Sequence, residues 1–258
     1  MTITNQRELD AMRAAGMVAG TVLDEVVMFI RPGVTTREID EYAAACIARR
    51  GARSAFLGYK KYPCHICISV NNEVVHGLAG ARRIQFGDLI SLDVGVRHNG
   101  YIGDTARTVA VGGCDLLTQK LIDVTEKALY EGISQASAGN RVSDISRAIQ
   151  TFVEANGFSV VREFVGHGVG RSVHEDPQVP NFVERGRTSP KLRPGMAIAI
   201  EPMVNAGGAA VKVLSDKWTV VTADGLPSAH FEHTVMITES EPEILTWPEK
   251  TPSGLKAS

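Results

Sequence analysis

Asp93, Asp104, His167, Glu201 and Glu232 are five side chains able to grip a hard cation, spread from position 93 to position 232. No local turn can bring them together, so only a fold can. Four are carboxylates in or beside apolar runs such as Leu89-Ile-Ser-Leu-Asp93-Val and Met196-Ala-Ile-Ala-Ile-Glu201. An unpaired charge in such surroundings costs on the order of several kcal/mol. Four negative charges and one neutral imidazole balance two divalent cations. Oxygen ligands with one imidazole suit Mn, Fe, Co or Zn rather than a thiolate metal. The chemistry that follows is two-metal hydrolysis.

The first two acids sit in a segment with hairpin character, Leu89 to Ala110, whose Asn99-Gly100 is the strongest two-residue turn signal available. With Asn99-Gly100 as the loop, position 93 faces 106 and Asp104 is a diagonal neighbour. With His98-Asn99 as the loop, Asp93 and Asp104 are directly opposite. Either register puts both carboxylates on one face, within about 4.5–8 Å. Left unshielded they would repel and raise one pKa, and a dication removes that conflict.

His167 stands among glycines in Gly166-His167-Gly168-Val-Gly170, which permit close backbone approach. His174 follows seven residues on. Pro202 cannot donate to a ladder, which places Glu201 at a strand end. Glu232 sits at a strand start in Phe231-Glu232-His-Thr-Val-Met-Ile, and His76 follows the strand-like Val74-Val75. Singly, each is matched by a structural use: a satisfied core histidine, a buried neutral Glu, a surface loop. Five such coincidences are harder to accept than one shared site.

The elements that must hold these groups recur in order. Apolar residues at three and four spacing predict a helix over 5–30. Arg31-Pro-Gly33 breaks it, and Thr35-Thr-Arg-Glu38 resembles a capping box that opens a second helix to about Arg50. Strands dominate from Cys64 to Val111. A helix then spans 115–136, and Ser143-Asp-Ile-Ser146 opens another to about Asn156, stopped by Gly157. Strands dominate again from Phe158 to Ile237. The expectation is one catalytic domain over 1–258 built of two related halves, about 5–113 and 114–245, with the site at their junction.

The bulk numbers fit. The chain has 258 residues, 44% hydrophobic, with a formal net charge of −2. That suits one large domain and demands neither a specific nucleic acid nor an anionic membrane. Lys60-Lys61 and Arg82-Arg83 read as solvated surface. No signal peptide or transmembrane run appears, so a cytoplasmic protein is expected. Its four cysteines, Cys46, Cys64, Cys67 and Cys114, are then free thiols. Cys64-His-Ile-Cys67 has no second metal-binding pair downstream and reads as half-buried strand.

The motifs Cys67-Ile-Ser-Val-Asn-Asn-Glu-Val-Val-His76-Gly, Leu92-Asp93-Val to Gly103-Asp104-Thr, Gly166-His167 to His174-Glu-Asp-Pro-Gln, Ile200-Glu201-Pro202 and Phe231-Glu232-His-Thr together resemble the methionine aminopeptidases, type I and bacterial in kind, without a zinc-finger extension. The likeness runs from about residue 5 to 245. It implies an α+β "pita-bread" (creatinase/aminopeptidase) fold, with two pseudo-symmetric halves around a central antiparallel sheet. It also implies removal of the initiator Met from nascent polypeptide N-termini with a small second residue. By this resemblance, two divalent ions (Co, Mn, Fe or Zn) bind Asp93, Asp104, His167, Glu201 and Glu232, with Asp104 and Glu232 bridging. A metal-bridging hydroxide is the nucleophile, and Glu201 shuttles its proton to the leaving amine. His174 serves the developing oxyanion, and His76 contacts the peptide. Tyr59, Tyr62, Cys67 and Trp218 line the methionine pocket. A monomer with transient ribosome contact completes the expectation.

Four positions depart from the family pattern: Phe56 for a small residue or Cys, Ala79 for Pro, Gly95 for Thr and Val173 for Phe. They bear on pocket shape and on one hydroxyl, not on the reaction class. An X-Pro peptidase of the same fold would use the same metals with other pocket walls. A metal-free binding protein would be expected to lack ligands, and all five are present.

Overall fold

In the computed structural model of the chain, residues 2–184, 186 and 188–248 are described. Met1 and residues 249–258, the ends of the expected domain, lie outside them.

Helix α1 (Gln6–Phe29) is capped by Asn5, whose side chain accepts from the Glu8 N–H. Its buried stripe includes Met12, Ala15, Ala19, Val22, Leu23 and Val26, the three-and-four spacing seen in the sequence. Helix α2 (Thr36–Arg49) opens on the expected capping box. The Glu38 N–H donates to Thr35 Oγ1 at 3.1 Å, and the Glu38 carboxylate accepts the Thr35 N–H at 2.7 Å. Helices α3 (Leu116–Ser134) and α4 (Val142–Ala155) follow. One expectation fails here: Ser143 does not open α4. The cap is Arg141, whose N–H donates to the Asp144 carboxylate at 2.8 Å. Ser143 already lies inside the helix, its N–H given to Ser189 Oγ. Val142 is buried in the core beneath, which draws the cap two residues earlier than the hydroxyl suggests.

Among the described residues, the largest sheet has nine strands and is antiparallel at every pairing. Its main path runs Arg53–Ser54, Leu89–His98, Tyr101–Ala110, Glu232–Met236, Ala197–Ile200, Gly166–Gly168 and Glu175–Val179. Cys67–Val70 also pairs with Leu89–His98, and Glu243–Ile244 with Glu232–Met236. The hairpin closes on Asn99-Gly100, with His98 opposite Tyr101. Both loop residues have positive φ, 51° and 83°, as this tight turn requires. The register with His98-Asn99 as loop is thereby excluded.

Strand alternation sorts the hairpin's faces. Ile90, Leu92, Val94 and Val96 pack with Val18, Val22 and Val26 of α1 and Ile39, Ala43 and Ile47 of α2. On the far side of the sheet path, Ile198, Ile200, Val235 and Ile237 pack with Leu121, Leu129, Ile145 and Ile149 of α3 and α4. Asp93 and Gly95 alternate with the α1-facing residues and point to the other face, where the cleft opens. Cys67 begins a strand but Cys64 lies outside it; both are buried, and all four cysteines are free. Among the described residues, no helix is long and apolar enough to cross a membrane.

Candidate metal centre

Register alone assembles most of the acid cluster. Ala106 has Asp93 directly across on one neighbouring strand and Glu232 directly across on the other. Asp104 lies two residues from Ala106 and so projects from the same face. The small methyl of Ala106 leaves room between three carboxylates. The Asp104 backbone is tied to Glu232's strand by Thr234, whose hydroxyl donates to the Asp104 carbonyl at 2.8 Å and accepts its N–H at 3.1 Å. Glu201 follows the last residue of Ala197–Ile200, next to Glu232's strand. Its carbonyl accepts from Asn181 Nδ2 at 3.0 Å. His167 enters from Gly166–Gly168, its Nδ1 2.9 Å from the Gly168 carbonyl. That contact assigns the proton to Nδ1 and leaves Nε2 free to ligate.

His167 Nε2 lies 3.4 Å from Glu201 Oε1 and 4.0 Å from Asp104 Oδ2. Ligand atoms of Asp104, His167 and Glu232 all fall within 4.8 Å of one another. Burial pushes Asp93, Glu201 and Glu232 well above the ordinary carboxylate range, and each is pushed further by the neighbouring acids' charges. Burial also raises Asp104 to about 7 and lowers His167 to about 3. Asp93 Oδ1, Asp104 Oδ1 and Glu232 Oε1 are buried without a hydrogen-bond partner. Buried acceptors are normally satisfied. Converging oxygens with no donors, beside a free imidazole nitrogen, fit divalent cations as the missing partners.

One cleft of about 300 Å³ takes in all eleven residues singled out in the sequence: the five above with Tyr59, Tyr62, Cys67, His76, His174 and Trp218. A wider groove of about 500 Å³ beside α4 contains no comparable acid cluster. His174 stands at the mouth. Its ring lies 4.2 Å from that of His167 and 5.4 Å from that of Tyr59, and its Nδ1 is 3.1 Å from the Tyr59 hydroxyl. His76 has φ +60° and meets the edges of Phe164 and Trp218. Tyr62 donates its hydroxyl to the Gly77 carbonyl at 2.8 Å, fixing the loop that carries His76, and meets Trp218 edge-on at 4.9 Å. Cys67 is directly across from Asp93. Lys60 is exposed, as expected, yet it also reaches the cleft and lies over the Tyr59 ring.

Two departures from the family pattern prove to be one feature. A Cβ at Gly95 would collide with Phe56 Cε1 and Cζ. The Phe56 ring fills the space a side chain at 95 would need, against the row that holds Gly95 and Asp104. Sequence reading missed His230 and Asn181. His230 is 2% exposed, lines the cleft and places Nε2 3.7 Å from Glu201 Oε2. Burial first, then the His76 charge, lowers it to about 3. Its signal was its place two residues before Glu232, the spacing of one strand face; Asn181 carried no such signal.

Residues 10–239 match the model of metallopeptidase family M24. The chain is 52% identical to a methionine aminopeptidase of Clostridium perfringens over 95% of its length and 98% of that protein's. It is 51% identical to methionine aminopeptidase 1 of Bacillus subtilis, over 93% and 96%. The crystal structure of a Thermotoga maritima methionine aminopeptidase superposes with a TM-score of 0.93 at 43% identity, covering 96% of this chain and all of that one. An Xaa-Pro dipeptidase from Bacillus anthracis has a TM-score of 0.78 at 23% identity over 63% of its own length, a likeness of fold alone.

Proposed function

The chain belongs to the methionine aminopeptidases of metallopeptidase family M24, and from that premise we propose that it clears the initiator methionine from nascent polypeptides whose second residue is small, using two divalent ions. Asp93, Asp104, His167, Glu201 and Glu232 would hold those ions. The orphaned carboxylate oxygens gathered at one cleft carry this reading. Bound there, divalent cations polarise the scissile carbonyl and acidify water.

The chain's own groups do the rest. Glu201 takes the proton of the attacking water and returns it to the departing amine nitrogen. His174, at the cleft mouth, donates to the carbonyl oxygen as it gains charge. A Tyr59 hydroxyl donating to His174 Nδ1 at 3.1 Å keeps the second nitrogen protonated for that purpose. His76 contacts the peptide beyond the scissile bond. The free α-amine lies by Asp93, which restricts cleavage to the first bond. Tyr59, Tyr62, Cys67 and Trp218 take the methionine, an unbranched thioether suited to aromatic and sulfur surfaces.

The two packed clusters, one on α1 and α2 and one on α3 and α4, support reading the domain as two related halves, 5–113 and 114–245, that share the site. Free thiols suit a reducing cytoplasm, where a monomer would meet new chains in transient contact with the ribosome. The test is chelator-stripped protein on Met-Ala-Ser and Ala-Pro-Ala, titrated with Mn, Fe(II), Co or Zn. Metal-dependent release of Met alone is expected. Cleavage before proline, or silence with every metal, overturns the reading. In the same assay E201Q should show no turnover while keeping its fold; near-normal activity would remove Glu201 from the proton path.

A further inference from the structure

Glu201 has an imidazole on each side. His167 Nε2 lies 3.4 Å from Oε1 and His230 Nε2 lies 3.7 Å from Oε2. His167 has its place in the acid cluster; His230 has none so far. It ends the strand Ser228–His230, directly across from Met203. Its backbone is clamped from the hairpin: the His230 N–H donates to Thr108 Oγ1, and the Thr108 hydroxyl donates to the His230 carbonyl, both at 2.8 Å. Since that hydroxyl proton is committed, the Ser91 hydroxyl 2.8 Å away is the donor to Thr108. The chain Ser91, Thr108, His230 thus links the hairpin bearing Asp93 and Asp104 to the neighbourhood of Glu201. Such a clamp fixes where the imidazole starts.

The imidazole is buried, and its Nε2 has no hydrogen-bond partner. A buried nitrogen left so is costly and calls for an explanation. A separation of 3.7 Å exceeds a hydrogen bond, but a small rotation of either side chain closes it.

We propose that His230 is a positioning residue for Glu201: in its Nε2–H form it holds Oε2, fixing the plane of the carboxylate and keeping Oε1 turned toward His167. The inference rests on Glu201 being the proton carrier. A carboxylate free to rotate would spend part of its time unable to reach the attacking water or the leaving nitrogen, and geometric errors of this kind fall on turnover rather than on substrate binding.

The experiment compares H230L, H230Q and E201Q, each loaded with Mn. It reads kcat and KM on Met-Ala-Ser, and Mn per protein by titration calorimetry. H230L keeps the volume without the donor, and H230Q keeps an N–H. H230L should lose about ten- to a hundredfold in kcat, the range for groups that orient a site residue, with KM and the Mn count unchanged. H230Q should recover most of that loss. Unchanged kcat in H230L overturns the proposal, as does H230Q no better than H230L. Loss of a bound Mn in H230L also overturns it, by making His230 a ligand. If E201Q turns over normally, the proton-carrier reading has failed; if E201Q is inactive and H230L normal, only this inference has. Should H230L not fold, T108V cuts the backbone clamp instead, and a fall in kcat without a change in KM is expected; no change in kcat overturns the proposal.

Discussion

The floor of the cleft and its apolar wall are built on different terms. The floor is Asp93, Asp104, Glu232, Glu201 and His167, held by strand register and by backbone bonds such as those of Thr234 and Asn181. Asp93, Asp104 and Glu232 share a single problem, a buried oxygen without a donor, and a cation would solve it for all three together. The wall is Phe56, Tyr59, Tyr62, Cys67, Val173 and Trp218, which hold one another by packing. Packing errors are met locally and by degrees. Substitutions in the floor should therefore act as all or none, and those in the wall should be graded and coupled in pairs.

The sharpest way to break this contrast is E232Q. It removes a buried carboxyl that burial and three neighbouring acids push well above the ordinary carboxylate range. Metal-stripped E232Q should melt above metal-stripped wild type, because the cost of burying or protonating that carboxyl is gone. It should also lose activity and most of the stabilisation that Mn gives the wild type, since binding only to the folded state is what raises its stability. Thermal melts with and without Mn check this. A metal-stripped variant less stable than wild type would mean the floor is satisfied without cations.

His174 stands between the two regions, its ring tilted against a floor residue at 4.2 Å and bonded to a wall residue. H174A should lower kcat about 10²-fold, as loss of an oxyanion donor does, with little change in KM. An effect confined to KM would assign His174 to the wall.

The floor was legible because chemistry marks it. Asp93, Asp104, Glu201 and Glu232 stand out in apolar runs, Asn99-Gly100 narrowed the register to two that share a face, and Pro202 marked the strand end. His230 was legible only through its two-residue spacing from Glu232, and aromatic neighbours gave it no distinction. Asn181 acts through a backbone carbonyl, which no side-chain pattern reveals. Helix starts were legible where the cap was a hydroxyl with a partner, as at Thr35. At Ser143 the burial of Val142 decided instead, and burial is a property of the fold. The wall was least legible. Phe56 and Gly95 are 39 positions apart, and nothing in either residue announces that one occupies the other's space.

That pair gives the smallest effect and the most specific test of the wall. Phe56 is 7% exposed, so F56A should cost about 3–5 kcal/mol through the cavity it leaves. G95T must displace the ring and should cost about 1–3 kcal/mol as overpacking. If the two act on one volume, the threonine fills part of the cavity. The double variant F56A/G95T should then be no less stable than F56A alone, a coupling of about 1–3 kcal/mol. Urea unfolding of the Mn-loaded proteins measures it. The same series read on peptides should show selectivity following volume. F56A widens the wall and should narrow the preference for Met over Leu at the first position by about tenfold, the scale of a methylene-sized change in an apolar pocket. The double variant should recover part of it. Strict additivity of the two stability changes would mean that Phe56 moves aside at little cost and that Gly95 is set by some other neighbour; the wall would then be as locally independent as the floor is collective.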